Sequence, residues 1–212
     1  QAKTGDMSFL NPIMGGVALP SGLALNAKAT VAGSRVEANA DMQCPANGKV
    51  TLEGMYDTNR EAYTASLNID GLNLHDFMPK DSLFLVTAEA AVEGEGLDFF
   101  SPRARLQAGG GVSLLEYGSR RYGGVDFKAE LKQSQVLADL AVNHALIQAQ
   151  ARLNATLHPK HVKADLVGDL KKLNLQAMGV TEKQLFPSLH LEAQAETNLK
   201  DHHGAKLAVT DI

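Results

Sequence analysis

The feature that most constrains this chain is a two-residue alternation of apolar and polar side chains, sustained over most of its length. Tyr63, Ala65, Leu67 and Ile69 alternate with Thr64, Ser66, Asn68 and Asp70. Successive side chains of a strand point to opposite faces, so this pattern demands a strand with one buried and one wet face. The phrase Leu72-Asn73-Leu74-His75-Asp76-Phe77, closed by Pro79, breaks the period and predicts a short helical or irregular corner. Val86, Ala88, Ala90 and Val92 then restore the alternation opposite Thr87, Glu89 and Glu93. A similar unit recurs in Ala164–Asp169, Leu173-Asn174-Leu175 and Leu189–Ala195, which predicts a weak internal duplication of residues 63–98 and 162–200.

The same pattern fills the rest of the chain. Leu25 to Val31, Val36 to Met42, Ala104 to Ala108, Val125 to Leu131, Val136 to Val142, Ile147 to Leu157 and Val162 to Leu166 all alternate. Turn-forming residues such as Gly33-Ser34, Asp57-Thr58-Asn59-Arg60 and the Pro159 corner separate them. Short turns make antiparallel neighbours. The prediction is therefore an all-β, mainly antiparallel sheet of roughly ten or more strands, with an apolar inner face and one or two short helices. The helix candidates are Asn174–Leu185, interrupted by Gly179, and Leu72–Met78. Residues 1–16, punctuated by Gly5, Pro12, Gly15 and Gly16, read as irregular or as a lone edge strand. Gly109-Gly110-Gly111 lacks the Gly-Lys-Ser/Thr ending of a phosphate loop and reads as a bulge or bend in a long strand.

A sheet that is apolar on one face must cover that face. No long amphipathic helix is present to do so. Aromatics make up only 5% of the 212 residues, Trp is absent, and the apolar face is rich in Ala. Small side chains leave room between walls, which suits an apolar channel as well as a narrow core. A net charge of -4 with no dense Lys/Arg block excludes a nucleic-acid surface, and Arg103, Arg105, Arg120 and Arg121 read as solvated strand and turn faces. Cys44 is alone, so no disulfide framework exists. Gln1 at the start and alternation running up to Ile212 read as one continuous β-rich segment, residues 1–212, of a larger protein.

The phrase Ile69-Asp70-Gly71-Leu72-Asn73-Leu74-His75-Asp76-Phe77, followed by Pro79-Lys80-Asp81-Ser82-Leu83 and a long alternating strand, resembles the TamB and AsmA-like proteins of Gram-negative envelopes. Leu173-Asn174-Leu175-Gln176-Ala177-Met178 and the Leu97-Asp98-Phe99-Phe100-Ser101-Pro102 loop fit the same pattern. The resemblance covers roughly residues 49–200. It implies a periplasmic segment of a protein anchored in the inner membrane, with a long, curved, taco-like or open-tube β-sheet. It implies further that this sheet carries phospholipid acyl chains between membranes and serves outer-membrane biogenesis, with a TamA-like barrel assembly protein as a possible partner.

Pattern and resemblance together place Ala65, Leu67, Ile69, Val86, Ala88, Val92, Leu106, Phe127, Ala129, Leu131, Ala149, Ala151, Leu153, Val162, Ala164 and Leu166 on the lining of a lipid groove. The alternative is a structural or adhesive β-domain with a dry core and no ligand. Neither reading calls for a cofactor or a metal. His158 and His161 flank a turn without the three or four ligands zinc requires, and His202-His203 has no partner motif. No Gly-x-Ser-x-Gly elbow marks a hydrolase, and the expectation is that the chain is not an enzyme. Glu89, Glu93 and Glu95 read as one solvated face.

Overall fold

The structure, a computed structural model, describes residues 20–211, so the irregular or edge segment expected over residues 1–16 lies outside the described residues. The strands are β1 (Ala24–Ala32), β2 (Arg35–Gln43), β3 (Lys49–Asp57), β4 (Ala62–Asn73), β5 (Leu83–Glu95), β6 (Arg105–Tyr117), β7 (Arg120–Tyr122), β8 (Val125–Lys132), β9 (Gln135–Asn143), β10 (Ile147–His158), β11 (His161–Leu173), β12 (Leu189–Thr197) and β13 (His203–Asp211). They form one antiparallel sheet in which chain neighbours are sheet neighbours, β7 alone lying beside β6 off the main path. Among the described residues the pairing path is open, with β1 and β13 as its ends.

Short turns fix this order. Gln133 and Ser134 both adopt positive φ between Lys132 and Gln135, the two-residue connection whose twist matches that of the strands it joins. At the β3–β4 turn, Asp57 Oδ1 accepts from the backbone N–H groups of Asn59 (2.9 Å) and Arg60 (3.3 Å). Those bonds to the ionised form hold the Asp57 carboxyl below its usual range. The triple glycine is part of β6, which runs through it unbroken with none of the three at positive φ.

The helix expected over Asn174–Leu185 does not form, and no α-helix occurs among the described residues. Met178 N–H donates to Asn174 O (3.1 Å) and Val180 N–H to Leu175 O (3.0 Å), after which Gly179 at φ +73 has already turned the chain out of helical geometry. The Leu72–Met78 corner reduces to a single 3-10 turn, Leu74–Asp76. The two Leu-Asn-Leu phrases share a local role. Asn73 Oδ1 accepts from His75 N–H (3.2 Å) and Asn174 Oδ1 from Ala177 N–H (2.9 Å), each turning the chain at the end of a strand.

Contacts divide the chain into two compact units. The first runs through Val92 and includes Gly110–Gly123; the second comprises Glu93–Gly109 and the chain from Gly124 onward. The first unit has its core at the strand ends, where Cys44, Leu72 and Val86 are buried against Met42, Val50, Ile69, Leu74 and Phe77. Gly71, at φ +56, breaks the two-residue period, so Ile69 and Leu72, of opposite parity, both join this cluster. Burial pushes the Cys44 thiol up, with Asp76 adding to the effect. In the second unit most apolar side chains of β8–β13 share one face of the sheet, where Leu131 and Ala155 are buried.

Candidate functional site

The register of the second unit determines which side chains share a face. Across β8 to β13, Ala129, Ala138, Leu153, Leu166, Ala193 and Leu207 are successive cross-strand partners. The adjacent row is Phe127, Leu140, Ala151, Gly168, Leu191 and Val209, and the row on the other side is Leu131, Val136, Ala155, Ala164, Ala195 and Ala205. The result is an apolar ladder across six strands. Only Leu131 and Ala155 in it are buried; Leu140 keeps 44% and Leu207 67% of its surface. A packed sandwich would bury such side chains under a facing layer. Here the ladder is half-open.

The opposite face is mainly polar and internally bonded, with Leu137 and Val167 also exposed on it. Arg152 Nε donates to Asp139 Oδ1 (2.6 Å) across the β10–β9 pair. Gln150 Nε2 donates to Asp169 Oδ2 (2.9 Å), and His190 Nδ1 lies 2.6 Å from Asp169 Oδ1. His190 Nε2 is 3.3 Å from Glu192 Oε1. Both ring nitrogens donate only in the imidazolium form. The bond to Asp169, then that to Glu192, therefore raises the His190 pKa above its ordinary value. Gln150, then His190, lowers that of Asp169. A depression of ≈ 640 Å³ lies over this face, among Asp126, Lys128, Asp139, Gln150, Arg152 and Asp169. Phe127, Leu140, Ala141, Ala151 and Val167 also line it. The groove expected from the sequence would instead lie over the other, apolar side.

The sixteen expected lining residues fall into two groups. In the first unit, Val86 is buried with Cys44 and Leu72, Ile69 and Ala88 pack against that cluster, and Ala65 and Leu67 pair with Gly54 and Leu52 on β3. Val92 is half-buried at that unit's boundary. In the second unit, Phe127, Ala129, Leu131, Ala149, Ala151, Leu153, Val162, Ala164 and Leu166 share the apolar ladder, and Leu106 is half-buried on β6. Glu89, Glu93 and Glu95 are all exposed. His158 and His161 are cross-strand partners, and His161 Nε2 lies 3.3 Å from Glu196 Oε1. Among the described residues no group of three or more His, Cys, Asp or Glu is placed to hold a metal ion, and no helix is long and apolar enough to cross a membrane.

The Gln150–Asp169–His190–Glu192 network is absent from the sequence reading. Half of it has a signal there. His158 and His161 pair at the β10–β11 turn, and Gln150 and Asp169 are equidistant from it. His190 reaches Asp169 only through the register set beyond the 174–188 loop, for which the sequence carries no rule.

Fold and faces together define an antiparallel β-sheet protein whose second unit has one mainly polar and one half-open apolar side. No protein-family model, curated protein or solved structure matches the chain.

Proposed function

We propose that this chain is a periplasmic segment of an inter-membrane phospholipid carrier, its apolar face receiving acyl chains, within a protein that serves outer-membrane assembly. One observation carries the reading: the six-strand apolar ladder of the second unit remains half-open, with Leu140 and Leu207 among its exposed members. Apolar surface is stabilised by removal from water at roughly 25 cal/mol per Å², and a contiguous exposed apolar patch marks an interaction site. An acyl chain matches this ladder because it needs no hydrogen-bond partner, and the ladder offers none. The small Ala129, Ala138, Ala151 and Ala164 leave relief into which flexible chains settle. Taco-like or open-tube curvature is part of this proposal, the face becoming a groove where the twisted sheet coils about the chains it holds. A TamA-like barrel assembly protein as partner, and anchorage of the full protein in the inner membrane, belong to the same proposal and rest on the sequence resemblance.

The test is a photo-crosslinking amino acid at Leu153, on the ladder, and at Asn154, on the polar face. Phospholipid captured at Leu153 and not at Asn154 is the expected result. Equal labelling at the two positions would sink the assignment of faces. Native mass spectrometry that finds no co-purifying lipid, with no capture at Leu153, favours the dry structural β-domain.

A further inference from the structure

The turn between β2 and β3 contains Asn47-Gly48, and no other asparagine of the chain is followed by glycine. Asn47 is exposed and stands at φ +68, beside Ala46 at φ +57. Among the described residues no hydrogen bond holds its side-chain amide. The Gly48 N–H reaches Pro45 O only at 3.4 Å, beyond the usual range of such bonds, so this nitrogen is weakly committed. Glycine has no side chain to shield its nitrogen and rotates with little restriction. The amide carbon of Asn47 is thus free to meet an unshielded nucleophile one residue on. Asn73, Asn174 and Asn198 differ on both counts. Each is followed by Leu, and each has its Oδ1 bonded by a backbone N–H, of His75, Ala177 and Lys200 respectively. At Asp70-Gly71 the Gly71 N–H is committed to Thr87 Oγ1 (3.2 Å), and an ionised carboxylate is a poor electrophile.

The chemistry open to this pair is self-contained. Hydroxide takes the proton of the Gly48 N–H, and the nitrogen attacks Asn47 Cγ. An N–Cγ bond forms, the Cγ–NH2 bond breaks, ammonia leaves and a succinimide remains. Water then opens the ring at Cγ, giving aspartate, or at the main-chain carbonyl, giving isoaspartate. Isoaspartate routes the backbone through the side chain and lengthens it by one methylene. The turn has no room for that atom on its inner side. A Cβ built on the buried Gly48 would stand 3.0 Å from Gly71 O and 3.1 Å from Leu72 Cα. The lengthened turn must therefore move outward. Cys44 N–H donates to Gly48 O (2.7 Å), so this movement breaks the bond that closes the turn over the buried Cys44. Burial holds the Cys44 thiol above its ordinary pKa, and exposure would also raise its thiolate fraction.

We propose that Asn47-Gly48 is a self-modification site, whose conversion to isoaspartate lifts the β2–β3 turn off the Cys44–Leu72 core and uncovers the Cys44 thiol. This is independent of acyl-chain binding by the ladder. The native chain is held in warm, mildly alkaline buffer, and samples taken over time are mapped by peptide mass and by enzymatic labelling of isoaspartate. Cys44 is the only cysteine, so a thiol-reactive dye reports on it alone. Asn47 should lose its amide at least about tenfold faster than Asn73, Asn174 or Asn198, and faster still as pH rises. The isoaspartate fraction should label at Cys44 about tenfold or more faster than the unmodified chain. Asn47→Gln, whose ring closure is slower, should keep a constant labelling rate throughout the incubation. Asn47→Asp carries the new charge without the extra backbone atom, and Asp tolerates positive φ. It should label as slowly as the unmodified chain. An Asn47 amide that survives as long as that of Asn73 overturns the proposal. Equal labelling of the isoaspartate and unmodified forms overturns the link to the core. Fast labelling of Asn47→Asp also overturns it, since charge rather than backbone length would then open the turn.

Discussion

At the scale of single residues, His190 links two strands through charge. Its pKa is raised by Asp169 and Glu192, so its contribution is complete below the ordinary value of 6.5 and is lost as pH rises through the folded value. Asp169 is shifted the other way. Its contribution is present above the ordinary 3.8 and is lost as pH falls through its lower folded value. The pair therefore supports the β11–β12 contact fully between about pH 4 and pH 6.5, and less on either side. Urea midpoints of the native chain and of His190→Gln should differ near pH 6 and converge in alkaline solution; a constant gap across that range would falsify the assignment. Backbone positions separate as clearly. Gly71 has positive φ but open space around a would-be Cβ, whereas a Cβ on Gly124, also at positive φ, would strike the Asn143 carbonyl. Gly71→Ala should cost about 1 kcal/mol and Gly124→Ala about 2–4 kcal/mol, measured by chemical denaturation.

Among elements, the β8–β9 hairpin holds a reserve of strain. Gln133 sits at φ +52, a conformation that costs a residue with a Cβ roughly 1 kcal/mol. Gln133→Gly should raise stability by about 0.5–1 kcal/mol, and a lowered melting temperature would show that the Gln side chain matters more than its backbone. The apolar ladder can be read strand by strand. Leu131, 4% exposed, should lose about 2–4 kcal/mol as Leu131→Ala, while Leu140→Ala, on the same face, should lose under about 1 kcal/mol. Leu153→Asp places a carboxylate between Ala138 and Leu166 on a half-open face that water reaches. It should fold with a loss of about 1–2 kcal/mol and no longer retain lipid. Failure to fold would point to a dry core, where an unpaired carboxylate costs more than about 4 kcal/mol.

On the scale of the molecule, each strand gains its partners from its neighbours in sequence, as in quasi-one-dimensional folds. Protection should then be graded within each unit. Amide exchange is expected to be slowest in β4 and β10 and fastest in the end strands β1 and β13, where nearly every residue is exposed. Uniform protection from β10 to β13 would mean that the second unit opens all at once. Order of strands and sidedness are both legible in the sequence, because local turns and a two-residue period decide them. The alternation from Ile147 to His158 is matched residue for residue by half-buried or buried and exposed positions.

Where the period breaks, legibility ends. Asn174–Leu185 has helix-compatible spacing, yet Asn174 bonds Ala177 and the chain turns at Gly179 before a second helical turn forms. Local propensity was too weak there to outweigh the anchoring of both loop ends on the paired strands β11 and β12. The sequence alone determined the antiparallel order and the apolar and polar faces, since these follow from the turns and the two-residue period. Only the tertiary structure decided that His190 stands opposite Asp169, that Ile69 and Leu72 meet across Gly71, and that the Leu140–Leu207 side of the sheet stays half-open. Those outcomes depend on the register beyond a long loop, on one backbone torsion and on the lack of a facing layer among the described residues, and none of the three leaves a periodic trace in the chain.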